Sequence, residues 1–167
     1  MAIKYSVEKH TRAEIGNVMA QDYGEHIVSL DISAETNGID NGRFVHVDKM
    51  TDLDLWSYEA VPAKANYAFK AYVVMQHPVS KLWLMQIDTV ADDKLAFIYQ
   101  KPLIAEESPR ALTAESNFYN DPADGPVRGY IMHSLDRVWL SADGFSGTPT
   151  KGAVITSFAN GKPVIDA

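Results

Sequence analysis

Two mostly apolar runs in the last third of the chain form its clearest pattern. They cover residues 127–133 (VRGYIMH) and 138–141 (VWLS), and the polar corner Ser-Leu-Asp-Arg separates them. Two such runs on either side of a polar corner predict a β-hairpin. We take this hairpin as the element around which the chain is organised.

Side chains of a strand alternate between two faces. In the first run, one face would carry Val127, Gly129, Ile131 and His133, and the other would carry Arg128, Tyr130 and Met132. Both faces therefore hold bulky side chains. A strand of this kind is normally covered on both sides, so we expect either a second sheet of the same chain or a neighbouring molecule to cover it.

Alternating or β-branched runs also occur along most of the remaining chain. They cover residues 26–32, 43–47, 50–58, 67–76, 82–85, 95–99, 153–158 and 163–165. The first two predict a hairpin with a wide polar connection, and Asn160-Gly161 predicts a tight terminal hairpin. The run 50–58 is either a strand or a helical turn. Roughly eight to ten short strands predict a mainly β fold, a single β-sandwich or barrel-like domain with antiparallel hairpins over residues 26–167.

Residues 1–25 differ from this pattern and predict an N-terminal arm. Thr11 and Glu14 match a capping box, and Ile15, Val18 and Met19 have helical spacing, which favours a short helix over residues 12–22. The alternative is an extended arm that is ordered only against a neighbour. Both interpretations stay open. Residues 101–124 hold three prolines and predict a loop.

Composition and charge limit the classes of partner. The chain has 167 residues, enough for one domain with its own core. Its 22 acidic and 15 basic residues give a net charge of -7, and the basic residues are scattered, so we expect no nucleic-acid partner. The absence of cysteine excludes disulfides and thiolate chemistry. No run approaches the ~20 apolar residues of a membrane span, and the N-terminus lacks a signal-peptide core, so we expect no membrane partner.

No motif for catalysis or cofactor binding stands out, and we expect a protein that is not an enzyme and holds no metal or cofactor. The five histidines are far apart, and His46 with Asp48 is better explained as a surface pair than as metal ligands. No serine lies in a Gly-x-Ser-x-Gly elbow. A dispersed pair of catalytic carboxylates stays open, because separation in space is invisible in a sequence.

Several short motifs, in the same order along residues 40–145, resemble the head decoration or cement proteins of tailed bacteriophages. They are Asp40-Asn41-Gly42-Arg43-Phe44-Val45, the run 67–75 closed by Pro78, Phe118-Tyr119 before a Gly-Pro, Val127-Arg128-Gly129-Tyr130-Ile131-Met132, and Asp136-Arg137-Val138-Trp139-Leu140-Ser141. The Asp-Arg pair departs from the Gly-Asp of the family at that turn, and the first 25 residues match nothing in the family.

The resemblance implies a structural virion protein that binds the outer surface of the capsid and ties major capsid protein subunits together. It implies symmetric copies or a homo-oligomer on the capsid exterior, assembled in the host cytoplasm. Candidate partner-binding residues are Tyr5, Ile15, Phe118, Tyr119, Arg128, Tyr130 and Trp139. The alternative function is a receptor- or glycan-binding β-sandwich of a phage tail or fibre, which predicts an exposed aromatic cluster around Trp56, Trp83 or Trp139.

Overall fold

The computed structural model describes residues 10–23, 26–52, 54, 56–91, 94–100 and 119–166. The strands in this part of the chain are β1 (Ala13–Asn17), β2 (Ile27–Asp31), β3 (Ile39–Asp40), β4 (Phe44–Asp52), β5 (Ser57–Pro62), β6 (Phe69–Gln76), β7 (Trp83–Val90), β8 (Leu95–Ile98), β9 (Tyr119–Asn120), β10 (Val127–Ile131), β11 (Arg137–Leu140), β12 (Val154–Ala159) and β13 (Lys162–Ile165). One short helix, α1 (Met19–Tyr23), follows β1, and 3-10 turns cover Pro122–Asp124 and Ala142–Gly144.

The strands form two main sheets and a small ribbon. Six strands make an antiparallel sheet in the order β1-β11-β7-β6-β12-β13, and five close into a barrel in the order β10-β2-β5-β4-β8. All barrel pairs are antiparallel except β2 with β5. Strands β3 and β9 form the ribbon. The prediction of a mainly β, sandwich- or barrel-like fold with antiparallel sheets is confirmed.

Two hydrophobic cores lie on opposite sides of the same barrel strands. The first fills the space between the barrel and the inner face of the six-stranded sheet, and the second fills the barrel. Consecutive residues of β4 and β8 alternate between them: Phe44 and Phe97 belong to the first core, and Val45 and Ala96 belong to the second. Burial on both faces explains why these strands are apolar almost throughout.

The alternation predicted for residues 127–133 is present, and a second sheet of the same chain covers it. Ile131 is buried in the barrel, while Tyr130 and Met132 pack in the first core. The predicted hairpin itself is wrong, since β10 pairs with β2 and β8 whereas β11 pairs with β1 and β7. Between the two strands, residues 132–136 carry the chain from the barrel to the other sheet.

The helix predicted over residues 12–22 is wrong in its first half. Residues 13–17 form β1, which pairs with β11 at the edge of the six-stranded sheet, and only α1 is helical. Gly16 disfavours a helix, and its lack of a side chain allows the close pairing with β11, because a Cβ there would lie 2.6 Å from the carbonyl oxygen of Arg137. Val18 and Ala20 are buried in the first core, so this segment packs as part of the domain.

Other local predictions have mixed outcomes. The hairpin predicted between residues 26–32 and 43–47 is wrong, since β2 lies between β10 and β5, away from β4. The terminal hairpin is confirmed: β12 pairs with β13 around Asn160 and Gly161, both with positive φ. The run 50–58 spans the end of β4 and the start of β5. Of the predicted loop 101–124, residues 101–118 lie outside the described residues.

Candidate functional site

One end of the barrel gathers several connecting segments. Strands β2 and β5 run parallel, with Ser29 opposite Ser57, so both begin at this end. Strand β10 is antiparallel to β2 and therefore finishes here, as does β4, in which Asp52 lies opposite Ser57. Helix α1 joins them through a hydrogen bond from the N–H of Met19 to Asp136. We call the region of residues 19, 26–27, 52, 54, 56–57 and 132–136 the barrel end.

The barrel end exposes four large apolar side chains. Met19 is 46% exposed, Ile27 36%, Trp56 70% and Leu135 69%. Singly exposed apolar residues are ordinary on a protein surface, but several in one region are typical of an interaction site. This region is therefore our candidate site for binding another protein.

Two of these residues also have an unfavourable backbone conformation. Trp56 has φ 52° and Leu135 has φ 74°, the left-handed region that large side chains rarely adopt. Such a conformation costs on the order of 1–3 kcal/mol and persists only where the surrounding structure imposes it. At Leu135, the N–H donates to the carbonyl oxygen of Ile87 at 2.8 Å, which fixes the turn against β7. The fold thus holds an apolar side chain in water at two strained positions.

A buried carboxylate supports this surface from below. Asp136 is 3% exposed, and its oxygens accept the N–H of Met19 at 2.8 Å and the N–H of His133 at 2.7 Å. These bonds tie α1 and the 132–136 connection to one point. The Asp136 carboxylate therefore fixes the positions of the two exposed residues beside it, Met19 and Leu135.

Two imidazoles lie beside this carboxylate. Nδ1 of His133 is 3.8 Å from Oδ2 of Asp136, too long for a hydrogen bond. The ring of His26 packs edge-on against the ring of His133, with centroids 4.7 Å apart. The pair joins the start of β2 to the end of β10, and a hydrogen bond from the N–H of Ile131 to the carbonyl oxygen of His26 reinforces the join.

A polar cleft of about 730 Å³ lies elsewhere, beside the β3–β9 ribbon. Asp40 is its most buried charged group and accepts from Nδ1 of His10 at 2.8 Å and from the N–H of Thr11 at 3.0 Å. The hydroxyl of Tyr119 donates to the carbonyl oxygen of Asn37 at 2.6 Å. These contacts fasten residues 10–11 and the ribbon to the barrel.

Arg43 forms one wall of this cleft. Its Nη1 donates to the carbonyl oxygen of Asn160 at 2.8 Å, while its buried Nε has no acceptor within the described residues. Burial lowers the pKa of Arg43 from its ordinary value, and the nearby carboxylates of Asp40 and Glu35 act in the opposite direction. The carboxylates of Asp40 and Glu35 thus oppose the charge of the Arg43 guanidinium within the cleft.

The candidate partner-binding residues from the sequence are dispersed. Tyr5 and Phe118 lie outside the described residues, and Ile15 is half-buried against the first core. Tyr119 lines the polar cleft, and Arg128 is exposed in the middle of β10.

The remaining two candidates have different environments. Trp139 is half-buried on the outward face of β11, edge-on to His77 at 5.7 Å. Tyr130 is only 6% exposed and belongs to the first core, so its selection as a surface residue needs correction. Arg128 and Tyr130 share the outward side of the barrel wall, but only the position of Arg128 is left uncovered by the six-stranded sheet.

Sequence reasoning missed Met19, Ile27 and Leu135 as surface residues, although Trp56 was among the aromatic candidates. In the sequence, Met19 has helical spacing with Ile15 and Val18, and Ile27 lies within the strand run 26–32, so neither pattern indicates an exposed position. Leu135 carried a signal: it is a single leucine inside a polar corner, between Ser134 and Asp136. A large apolar residue at a turn has no local structural role there.

Comparison with protein-family models, with curated proteins and with solved structures found no match to this chain. Within the described ranges, no three His, Asp or Glu side chains are grouped as ligands of a metal ion. No helix in the same ranges has the length and apolar character needed to cross a membrane.

Proposed function

We propose that the protein is a structural virion protein of a tailed phage, without enzymatic activity. It binds the outer surface of the capsid and stabilises contacts between major capsid protein subunits. The observation that carries the proposal is the barrel end, where Trp56 and Leu135 expose large apolar side chains at left-handed backbone positions. The choice of partner rests on the resemblance of the motifs in residues 40–145.

The physical requirements of capsid binding fit such a surface. A decoration protein is repeated over the shell by symmetry, so modest contacts at each copy sum to a large stabilisation. Apolar side chains on fixed loop tips lose little conformational freedom on docking, because a rigid turn is already in its bound shape. A net charge of -7 also keeps the protein from competing for packaged DNA.

Trp56 also favours a second candidate function, glycan binding by a tail or fibre module. Its indole is 70% exposed, and aromatic rings in water are common platforms for sugars. Against this candidate, Trp139 is half-buried against His77, and Trp83 is packed against the first core. Of the three tryptophans around any of which glycan binding predicts an exposed aromatic cluster, Trp56 alone is largely exposed.

The test is co-sedimentation of the purified protein with expanded empty shells of the phage whose genome carries this sequence. We expect saturable binding with a fixed number of copies per capsomer. Trp56→Ser and Leu135→Ser should each weaken binding by about 10-fold or more, as expected for apolar anchors of an interface. Val79→Ser is the matched control, because Val79 is 83% exposed on the β6–β7 turn, outside the barrel end.

Two outcomes would overturn the proposal. One is wild-type protein that shows no saturable binding to shells. The other is a Trp56→Ser, Leu135→Ser double variant that is folded and binds as tightly as wild type. Saturable binding to an immobilised glycan panel without affinity for shells would instead support the second candidate.

A further inference from the structure

The six-stranded sheet has an outward face whose composition is unusual for a solvated surface. Antiparallel sheets normally alternate apolar residues facing the core with polar residues facing water. Here Trp139, Leu84 and Met75 lie in register on neighbouring strands β11, β7 and β6, and all three point away from the first core. We call this side of the sheet the outer sheet face.

The apolar row continues beyond these three residues. Val74, at the irregularity of β6 next to Met75, is 37% exposed, and Met75 is 40% exposed. A second row in register lies at the next position along the strands on the same face, and it consists of Arg137, Gln86 and Tyr72. Nε of Arg137 donates to Oε1 of Gln86 at 3.1 Å, and this hydrogen bond links the side chains of β11 and β7 across the surface of the sheet.

The charges of this face are balanced, although the whole chain carries -7. On β1, β6, β7 and β11 the outward charged residues are Glu14, Lys70, Asp88 and Arg137, two of each sign. Nζ of Lys70 lies 3.8 Å from Oδ2 of Asp88 and 5.2 Å from the centre of the Tyr72 ring. A second negatively charged copy meets no net repulsion on this side.

We propose that a second copy of this chain covers the outer sheet face in a symmetric dimer. The two-fold axis runs parallel to the strands and passes between the two copies over β7. With this axis, β11 of each copy lies over β6 of the other, and β7 lies over β7. The contact is isologous, as in most homodimers.

This axis places compatible side chains of the two copies opposite each other in both rows. Leu84 meets Leu84 of the partner subunit, and Trp139 meets Met75 of the partner subunit. In the second row, the guanidinium of Arg137 lies against the ring of Tyr72 of the partner subunit, a favourable pairing of a cation with an aromatic face. Thioether contacts with an aromatic ring are favourable as well. An axis in the plane of the sheet, perpendicular to the strands and over the second row, would instead set the apolar row against Lys70 and Asp88.

The size of the sheet is adequate for such an interface. With the axis over β7, the strands that face the partner subunit are β1, β11, β7, β6 and β12, and their 31 residues, at ~3.3 Å per residue and ~4.8 Å between strands, cover about 490 Å² of flat sheet. Side chains that stand out from the sheet add to this flat area, so the contact approaches the ~600 Å² per partner at the lower end of standard interfaces. At the barrel end, Met19, Ile27 and Trp56 belong to α1 and to the barrel, so their side chains stay open in the dimer. The dimer therefore does not depend on the proposed function.

The first test is sedimentation equilibrium of the purified protein from micromolar to hundreds of micromolar concentration. We expect a monomer–dimer equilibrium. Leu84→Asp sets two carboxylates against each other at the axis and should weaken the dimer by at least ~100-fold. Met75→Asp, at an exposed position, should weaken it similarly and serves if Leu84→Asp unfolds. Trp56→Asp, at an exposed position of the barrel end that precedes β5, is the control and should leave the dimer unchanged.

The second test uses the absence of cysteine from the chain. A single Leu84→Cys substitution places one thiol per copy next to the axis, and facing sheets pack about 10 Å apart. A short bis-maleimide should then link Leu84→Cys protein into covalent dimers in high yield, whereas Lys49→Cys protein, with its thiol at an exposed position of the barrel strand β4, should remain monomeric under the same conditions.

Monomeric wild type throughout the concentration range overturns the proposal. A dimer that survives both Leu84→Asp and Met75→Asp in folded protein overturns it as well, as does equal cross-linking of the Leu84→Cys and Lys49→Cys proteins. None of these results depends on shells, so failure of the dimer and failure of capsid binding are distinguishable.

Discussion

The N–H of Met19 donates a 2.8 Å hydrogen bond to Oδ1 of Asp136, 117 residues further along the chain. The other oxygen of the same carboxylate accepts the N–H of His133 at 2.7 Å. The buried carboxylate thus holds the connection between the end of β10 and the start of β11 in place. It is also the point where α1, the barrel and the six-stranded sheet meet.

Asp136→Asn should destabilise the protein by about 1–3 kcal/mol, because the amide would present a donor to the N–H of Met19 or of His133 and leave a buried group unpaired. Urea unfolding measures the loss. Asp48→Asn, at an exposed position of β4, is the control and should change stability by less than about 0.5 kcal/mol. Equal stabilities of the two variants would contradict the assigned role of Asp136.

Gly42 and Gly152 allow a steric effect to be separated from a backbone effect. Both have a left-handed φ, 86° and 85°. A Cβ at Gly42 would lie 2.6 Å from Cδ2 of Leu140, whereas a Cβ at Gly152 would meet nothing within 4 Å.

Gly152→Ala should therefore lose about 1–2 kcal/mol through its backbone alone. Gly42→Ala should lose a further ~1–3 kcal/mol, because the new methyl group overpacks the first core. Denaturant unfolding of both variants gives the difference directly. Similar losses in the two variants would show that Leu140 moves aside without penalty.

Local patterns in the sequence predicted strands well and their partners poorly. The alternation of residues 127–133 correctly separated Ile131 from Tyr130, because burial on each face follows from the pleat. Pairing depends on where the chain goes after Met132. The polar corner at residues 134–137 resembles a hairpin turn, yet it holds Leu135 at positive φ and the buried Asp136, which direct the chain to another sheet. Long-range contacts of that kind have no signature within a few residues.

The candidate surface was hard to predict for a related reason. Tyr130 looked like a binding residue because aromatic side chains are common at interfaces, and only the packing of the six-stranded sheet over β10 removes it from the surface. Trp139 occupies an equivalent alternating position in β11, but nothing in the described residues covers that face. The two residues are distinguishable only once the layer order is known.

Asp31 makes a contribution to the stability of the folded protein that depends on pH. Its carboxylate accepts the N–H of Ser33 at 2.8 Å, and this bond, together with the Ser33 hydroxyl, lowers the pKa of Asp31 below its ordinary value. A carboxyl whose pKa is lower in the folded state stabilises the protein above its unfolded pKa, ~3.9, and loses that contribution as the pH falls through the folded value.

Asp31→Asn should therefore be less stable than wild type at pH 6, and the difference should shrink as the pH falls below about 4. Urea midpoints at pH 6, 4 and 3 measure it, with Asp48→Asn as the reference for the removal of one exposed charge. A difference that stays constant or grows toward low pH would contradict the assigned hydrogen bond.

Phe44 and Val45 are adjacent, fully buried residues of β4 that belong to different cores. Because β4, β8 and β10 line both cores, the barrel and the six-stranded sheet should unfold in one cooperative transition. Trp83 and Trp139 lie in the sheet, whereas Trp56 lies at the barrel end, so a Trp56→Phe background makes the fluorescence report on the sheet alone. Val45→Ala, inside the barrel, should lower stability by about 1–3 kcal/mol and shift the fluorescence transition as far as the far-UV circular dichroism transition. A sheet transition that stays at its original midpoint while the circular dichroism splits into two steps would show that the two cores are independent.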